Sequence, residues 1–205
     1  MADIFLKDLE NNKQAGGHYA ASVAAMRAAG REIPGIMHLL AFKPKASDLL
    51  NLFTQEVMRG PSPLSPAFRE LIATITSESN QCAFCRDSHG AAAAALFESE
   101  GRVKKNAGQK FIGAVLQGDA DLTDAEWALL EFVVQVNLEA QDIEEKDIKK
   151  MRKAGWTDEA IYDAITVCSL FNFYNRWVGA NGVAWDREES SLASGARIAQ
   201  RGYVP

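Results

Sequence analysis

Repeated helix-starting signals, with no strand pattern between them, constrain this chain more than any other feature. Thr123-Asp124-Ala125-Glu126 is a capping box, in which a hydroxyl accepts from the third backbone N–H and a glutamate reaches back to the cap. Leu122 and Trp127 stand where a hydrophobic staple closes over it. Ser65-Pro66 joins an N-cap oxygen to a proline at the first helical position, where a missing N–H costs nothing. Trp156, Thr157 and Ile161 repeat the staple arrangement. Between these starts the apolar residues recur at helical spacing, and no period-two alternation bounded by turn residues competes. The chain is expected to be all-α.

The same punctuation divides the chain. A helix from His18 to Ala29 is closed by Gly30, and Pro34-Gly35 precedes a short apolar segment ending at Phe42. Lys43-Pro44 opens a helix bearing Leu49, Leu50, Leu52, Phe53 and Val57, which Gly60-Pro61-Ser62-Pro63 ends. The helix after Ser65 carries Phe68, Leu71, Ile72 and Ile75 on its buried side. Asn80 reads as the N-cap of the next helix, which continues through Ala91 to Ala95 and stops at Gly101. A helix from Asp124 to about Ala140, a charged one ending at Gly155, and a long one reaching about Ala180 follow. The tail from Asp186 is polar and reads as irregular or lightly helical. No linker or composition shift appears, so residues 1–205 are expected to form one domain. Within it lie a core at about 44–118, a C-terminal helical half at about 122–182 and the tail at 186–205. Ala67, Leu71 and Ile75 match Ala125, Leu129 and Val133 at equal offsets, as an internal helical repeat would, although amphipathic helices also match by chance.

With 205 residues, 47% hydrophobic and 24% charged, the chain can bury a sizeable core. A formal charge of −5 argues against nucleic acid as a partner, and the basic run Lys149 to Lys153 suits a solvated helix C-terminus. No uncharged apolar stretch is long enough for a transmembrane helix, and Met1 to Asp8 lacks the basic-then-apolar order of a signal peptide. Three cysteines with one close pair do not make a secreted disulfide framework, so a reducing cytoplasm is the expected location.

That close pair carries the chemistry. Cys82, Cys85 and His89 are offset by three, four and seven residues and share one face of a helix. A Cys-x-x-Cys at a helix N-terminus gains thiolate character from the unpaired N–H groups and the dipole. His89 is placed to act as a base toward Cys85, and the preceding helix offers Glu70, or nearer in sequence Glu78, to orient the imidazole. A zinc site needs four ligands, and the remaining sources, Cys168, His18 and His38, have no recognisable spacing. A thioredoxin-like unit needs strands around its cysteines. Cys168 reads as core, His18 as surface, and His38 as a structural or subunit-contact residue. Asn172, Asn175 and Arg176 form a polar cluster among Phe171, Phe173, Tyr174 and Trp177, as either a buried hydrogen-bond network or a pocket wall near the thiols.

Arg69-Glu70-Leu71-Ile72-Ala73, Ser79-Asn80-Gln81-Cys82-Ala83-Phe84-Cys85 and His89 together resemble the carboxymuconolactone decarboxylase superfamily, in its alkyl hydroperoxidase D (AhpD-like) branch. The intervals match throughout: Glu, eleven residues, Cys-x-x-Cys, three residues, His. The length, the Leu64-Ser65 helix start, Pro34 with His38, and Asn172 to Arg176 resemble its peroxidase-related subgroup. The resemblance implies an AhpD-like helical fold, a homo-oligomer with sites near subunit contacts, and reduction of alkyl or hydrogen peroxide without metal, haem or flavin. It makes Cys85 the attacking thiolate, Cys82 the resolving thiol, His89 and Glu70 the proton relay, and a dithiol or thiol carrier protein the reductant. Phe84 departs from the hydroperoxidase pattern, which has a second histidine there, and so removes one polar group from the relay. The alternatives are a redox-sensing or disulfide-exchange protein with little peroxide turnover, and a lyase acting on a small lactone. The paired cysteines, which the decarboxylases generally lack, disfavour the lyase.

Overall fold

Eleven α-helices and one short 3-10 turn account for the regular structure of the computed structural model, which describes residues 4–10, 15–184 and 188–204, the side chain of residue 188 excepted. The helices are α1 Lys7–Glu10, α2 Gly17–Ala28, α3 Gly35–Phe42, α4 Pro44–Arg59, α5 Pro66–Ser79, α6 Ala83–Ser99, α7 Gly108–Gln117, α8 Asp124–Glu139, α9 Glu145–Lys153, α10 Asp158–Ala180 and α11 Glu188–Arg201. No strand occurs among the described residues. The sequence readings at Met1 to Asp3 and at Asp186 lie outside them.

The caps at Ser65, Thr123 and Thr157 form as the sequence demands. Ser65 Oγ accepts from the Phe68 N–H at 3.2 Å, and Thr157 Oγ1 from the Ala160 N–H at 3.1 Å. Thr123 Oγ1 accepts from the Glu126 N–H at 3.2 Å while Glu126 Oε2 accepts from the Thr123 N–H at 2.8 Å. α5 is the central helix, packed on α6, α8 and α10. Leu71, Ile72, Leu129, Val133, Val167 and Phe171 fill the main core between them. A second apolar cluster joins Leu39, Phe84, Cys85, Leu170, Tyr174 and Val178, which places the dithiol against the core rather than on the surface.

The sequence reading leaves α1 and α7 unassigned, and it differs from the structure at three further places. Cys82, not Asn80, is the N-cap of α6, while Asn80 closes α5. The turn between the helices is tighter than the reading allowed, because Gln81 takes a left-handed φ of 55° and the Cys82 N–H bonds back to the Ser77 carbonyl at 2.9 Å. On α4 the helical spacing is real and Leu50 and Val57 pack against the core, but Leu49, Leu52 and Phe53 face outward, 71%, 61% and 53% exposed. The buried side holds Ser47, Asn51 and Thr54. Thr54 Oγ1 donates to the Leu50 carbonyl and shares a 2.8 Å bond with the Tyr174 hydroxyl, so its burial leaves no polar atom stranded.

The tail is the third difference. Residues 188–201 form a full helix, α11, laid along α6. Its seat is Gly195, where an added Cβ would lie 2.4 Å from the Ala91 Cβ and 2.7 Å from the Ala92 backbone nitrogen. Gly195→Val is expected to lift α11 off α6 and to cost about 2 kcal/mol in denaturant titrations. Gly113→Ala, inside α7 where a Cβ meets nothing within 4 Å, is the control and should stabilise by up to about 1 kcal/mol.

Candidate functional site

The α5–α6 hairpin brings all four sequence-predicted residues to one region. Cys82 is the half-exposed N-cap, Cys85 lies on the first turn and is 3% exposed, and both are free thiols. His89 follows one turn after Cys85 on α6. Glu70, 0% exposed on α5, accepts from His89 Nδ1 on its Oε2 at 2.7 Å. The imidazole edge also meets the Phe171 ring, with centroids 4.4 Å apart. Glu78, the second carboxylate considered, instead pairs with Arg86 at 3.0 Å.

Two partners of Glu70 have no signature in the sequence. Arg59 Nη2, from the end of α4, donates to Oε1 at 2.5 Å, and the Tyr203 hydroxyl, beyond α11, donates to the same oxygen at 2.7 Å. Burial by itself would raise the Glu70 carboxyl. His89, Arg59 and Tyr203 outweigh that and hold it below the usual carboxylate value, so Glu70 is an anion. Burial and the Glu70 charge push the Tyr203 phenol well up, which keeps it a neutral donor.

The thiols are unequal. The Cys85 thiol donates toward Cys82, and this bond, aided by the Cys85 backbone N–H, brings Cys82 down to about 7 against its partial burial. The same bond and burial push Cys85 well above an ordinary thiol. The pair is poised as a Cys82 thiolate held by a Cys85 S–H.

Asn175 reaches both thiols and links them to a chain of asparagines. Asn175 Nδ2 donates to Ser77 Oγ at 2.9 Å, and its Oδ1 accepts from Asn80 at 2.9 Å. Asn80 exchanges amide bonds with Asn137, and Asn172 Nδ2 donates to Asn137 Oδ1 at 2.6 Å. Asn137, Asn172 and Arg176 then line an open pocket of about 520 Å³ with Val136, Ile143 and Phe173. The polar cluster of α10 is therefore a hydrogen-bond network that also lines a pocket, but neither Cys82 nor Cys85 lines that pocket. Asn80 and Asn137 join it from the end of α5 and from α8.

The remaining candidates stand apart. Cys168 is buried with its thiol 3.7 Å from the Val133 carbonyl. His18 is exposed, 3.5 Å from Ser22 Oγ. His38 is buried in α3, and that burial lowers its pKa. Among the described residues no group of three or more His, Cys, Asp or Glu side chains could hold a metal ion, and no helix is long and apolar enough to cross a membrane.

Residues 44–110 match the profile of the carboxymuconolactone decarboxylase family. No protein of curated function matches the chain. Among solved structures, an uncharacterized peroxidase-related protein from Silicibacter sp. TM1040 is 25% identical, with a TM-score of 0.66 over 78% of this chain and 80% of that one. An uncharacterized peroxidase-related protein with an alkylhydroperoxidase AhpD core, from Ralstonia eutropha JMP134, is 24% identical, with a TM-score of 0.68 over 87% and 93%. The debrominase Bmp8, as a cysteine-to-alanine variant with 2,3,4-tribromopyrrole, is 16% identical, with a TM-score of 0.61 over 83% and 87%.

Proposed function

We propose that this chain, which carries a carboxymuconolactone decarboxylase family domain at residues 44–110 on an AhpD-like all-α fold, is a thiol-dependent peroxidase. The observation that carries the reading is the free Cys82–Cys85 pair at the N-terminus of α6, one turn before an imidazole held by a buried carboxylate. His89 removes the Cys85 proton, and the Cys85 sulfur attacks the terminal oxygen of a hydroperoxide. The O–O bond breaks, the sulfur becomes a sulfenic acid, and the leaving alkoxide takes the proton back as an alcohol. Cys82 then attacks the sulfenic sulfur, releasing water and closing the disulfide. A dithiol or reduced thiol carrier restores the pair by exchange through Cys82, the more exposed sulfur.

A second order of attack has an observation of its own. Cys82 is the sulfur brought down to about 7, whereas Cys85 is buried and pushed up, so Cys82 is the thiolate present before any base acts. In either order two thiols deliver two electrons, and a brominated pyrrole belongs beside peroxide in the oxidant panel. The outward apolar side of α4, at Leu49, Leu52 and Phe53, supports assembly as a homo-oligomer.

The test is a thiol count before and after one equivalent of cumene hydroperoxide. Of the three cysteines, two are expected to disappear together and to return with dithiothreitol. A count that peroxide leaves unchanged overturns the peroxidase reading and favours disulfide exchange with another partner.

A further inference from the structure

The carboxylate that holds His89 is itself held, by residues that belong to no part of the dithiol motif. Arg59 Nη2 and the Tyr203 hydroxyl both donate to Glu70 Oε1, at 2.5 and 2.7 Å, so only Oε2 remains for His89 Nδ1 at 2.7 Å. Each donor is anchored in turn. Arg59 Nη1 donates to the Met58 carbonyl at 2.8 Å and Nη2 also to the Ile198 carbonyl at 3.2 Å, tying α4 to α11. The Tyr203 N–H donates to Gln55 Oε1 at 2.8 Å, one helical turn before Arg59. Gly202, at a φ of 68°, makes that approach, since a Cβ there would lie 2.4 Å from the same oxygen. The Arg59 guanidinium lies 5.2 Å from the Tyr203 ring centroid, and the Tyr203 ring runs within 11° of parallel to the imidazole.

We propose that Tyr203 and Arg59 are positioning residues for His89: by saturating one oxygen of Glu70 they aim the other at Nδ1 and fix the tautomer whose free base is Nε2. A carboxylate without these donors can rotate, or offer either oxygen. The Tyr203 hydroxyl lies only 3.3 Å from Nδ1, so a freed Glu70 also leaves the ring a second partner. In the neutral ring, an Nδ1 proton held by Glu70 leaves the Nε2 lone pair to accept a proton. The inference rests on the peroxidase reading only for what that base then does. The groups bearing on His89 are Glu70 from α5, Arg59 from α4, Tyr203 from beyond α11, and Cys85 on its own helix.

The test uses the full chain with ¹⁵N-labelled histidine, the His89 signals being assigned by their loss in His89→Gln. Wild type is expected to show the Nδ1–H tautomer. In Tyr203→Phe the nitrogen shifts should move toward a tautomer mixture, and kcat for peroxide should fall about tenfold with KM little changed and the pH profile displaced. Arg59→Lys, which keeps a charged donor, should retain more of the wild-type signals than Arg59→Met. Where Arg59→Met does not fold, Tyr203→Phe decides alone, since it removes one oxygen and keeps the ring. Unchanged nitrogen shifts and an unchanged pH profile in Tyr203→Phe overturn the proposal. Shifts that move in a protein inert to peroxide would sink the peroxidase reading and leave the positioning role standing.

Discussion

Serine in place of Cys85 is expected to stop dithiol-driven peroxide turnover, a loss of about a thousandfold or more. The hydroxyl can still donate toward Cys82, so the fold and the electrostatics of the α6 N-terminus should survive and the loss should fall on the chemistry. Cys82→Ser makes the complementary case. It should consume a single equivalent of hydroperoxide and stall, leaving a sulfenic acid on Cys85 that a dimedone-type reagent traps and mass spectrometry locates. The decisive comparison is where the label lands. A label on Cys82 in Cys85→Ser, formed at the wild-type rate, reverses the order of the two sulfurs and makes the low-pKa thiolate the attacking group. The accessible sulfur at about 7 also predicts that iodoacetamide modifies Cys82 first, along a titration centred there.

The second large effect is on stability. Glu70→Ala should destabilise the protein by about 3–5 kcal/mol, because it leaves Arg59 as a partly buried cation and strands the donors of Tyr203 and His89. Glu70→Gln should cost less at neutral pH and reveals the sign of the linkage. A carboxyl held below its ordinary value in the folded chain contributes stability that is complete above the ordinary carboxylate range. That contribution is lost as pH falls through the depressed folded value. Wild type should therefore lose melting temperature on acidification faster than Glu70→Gln. Parallel melting curves for the two proteins across the acid range would contradict the charged state assigned to Glu70.

The central residues of this site were legible because the chemistry is local. Cys82, Cys85 and His89 share one helix, and Glu70 lies on the helix just before it, so fixed spacing in the chain becomes fixed spacing in the fold. Arg59 and Tyr203 meet Glu70 across breaks in the chain that no periodicity records. Tyr203 is 133 residues from Glu70. On α4 the difference has another cause. Hydrophobic spacing identifies a helix with two unlike sides, but not which side meets the core. Here the inner side mixes the fully buried Met58 with Ser47, Asn51 and Thr54, of which Thr54 is satisfied by the Tyr174 hydroxyl and a backbone carbonyl. The tail gives little sequence signal because its burial rests on small residues: Gly195 lets backbones approach without the apolar stripe that would announce a packed helix.

The separation of 114 residues between His89 and Tyr203 also orders the making of the site in time. On a ribosome, Arg59, Glu70, Cys82, Cys85 and His89 emerge together, and the α5–α6 hairpin can form while most of the later helices are still unsynthesised. A nascent chain at that stage holds Cys82, Cys85 and the Arg59–Glu70 pair without α10, whose Leu170, Tyr174 and Val178 pack with Cys85. The interval before α10 docks is when Cys85 is least protected, because Leu170, Tyr174 and Val178 are the later residues that cover it. Its length is set by the rate of elongation and of long-range helix docking, not by the stability of the finished fold.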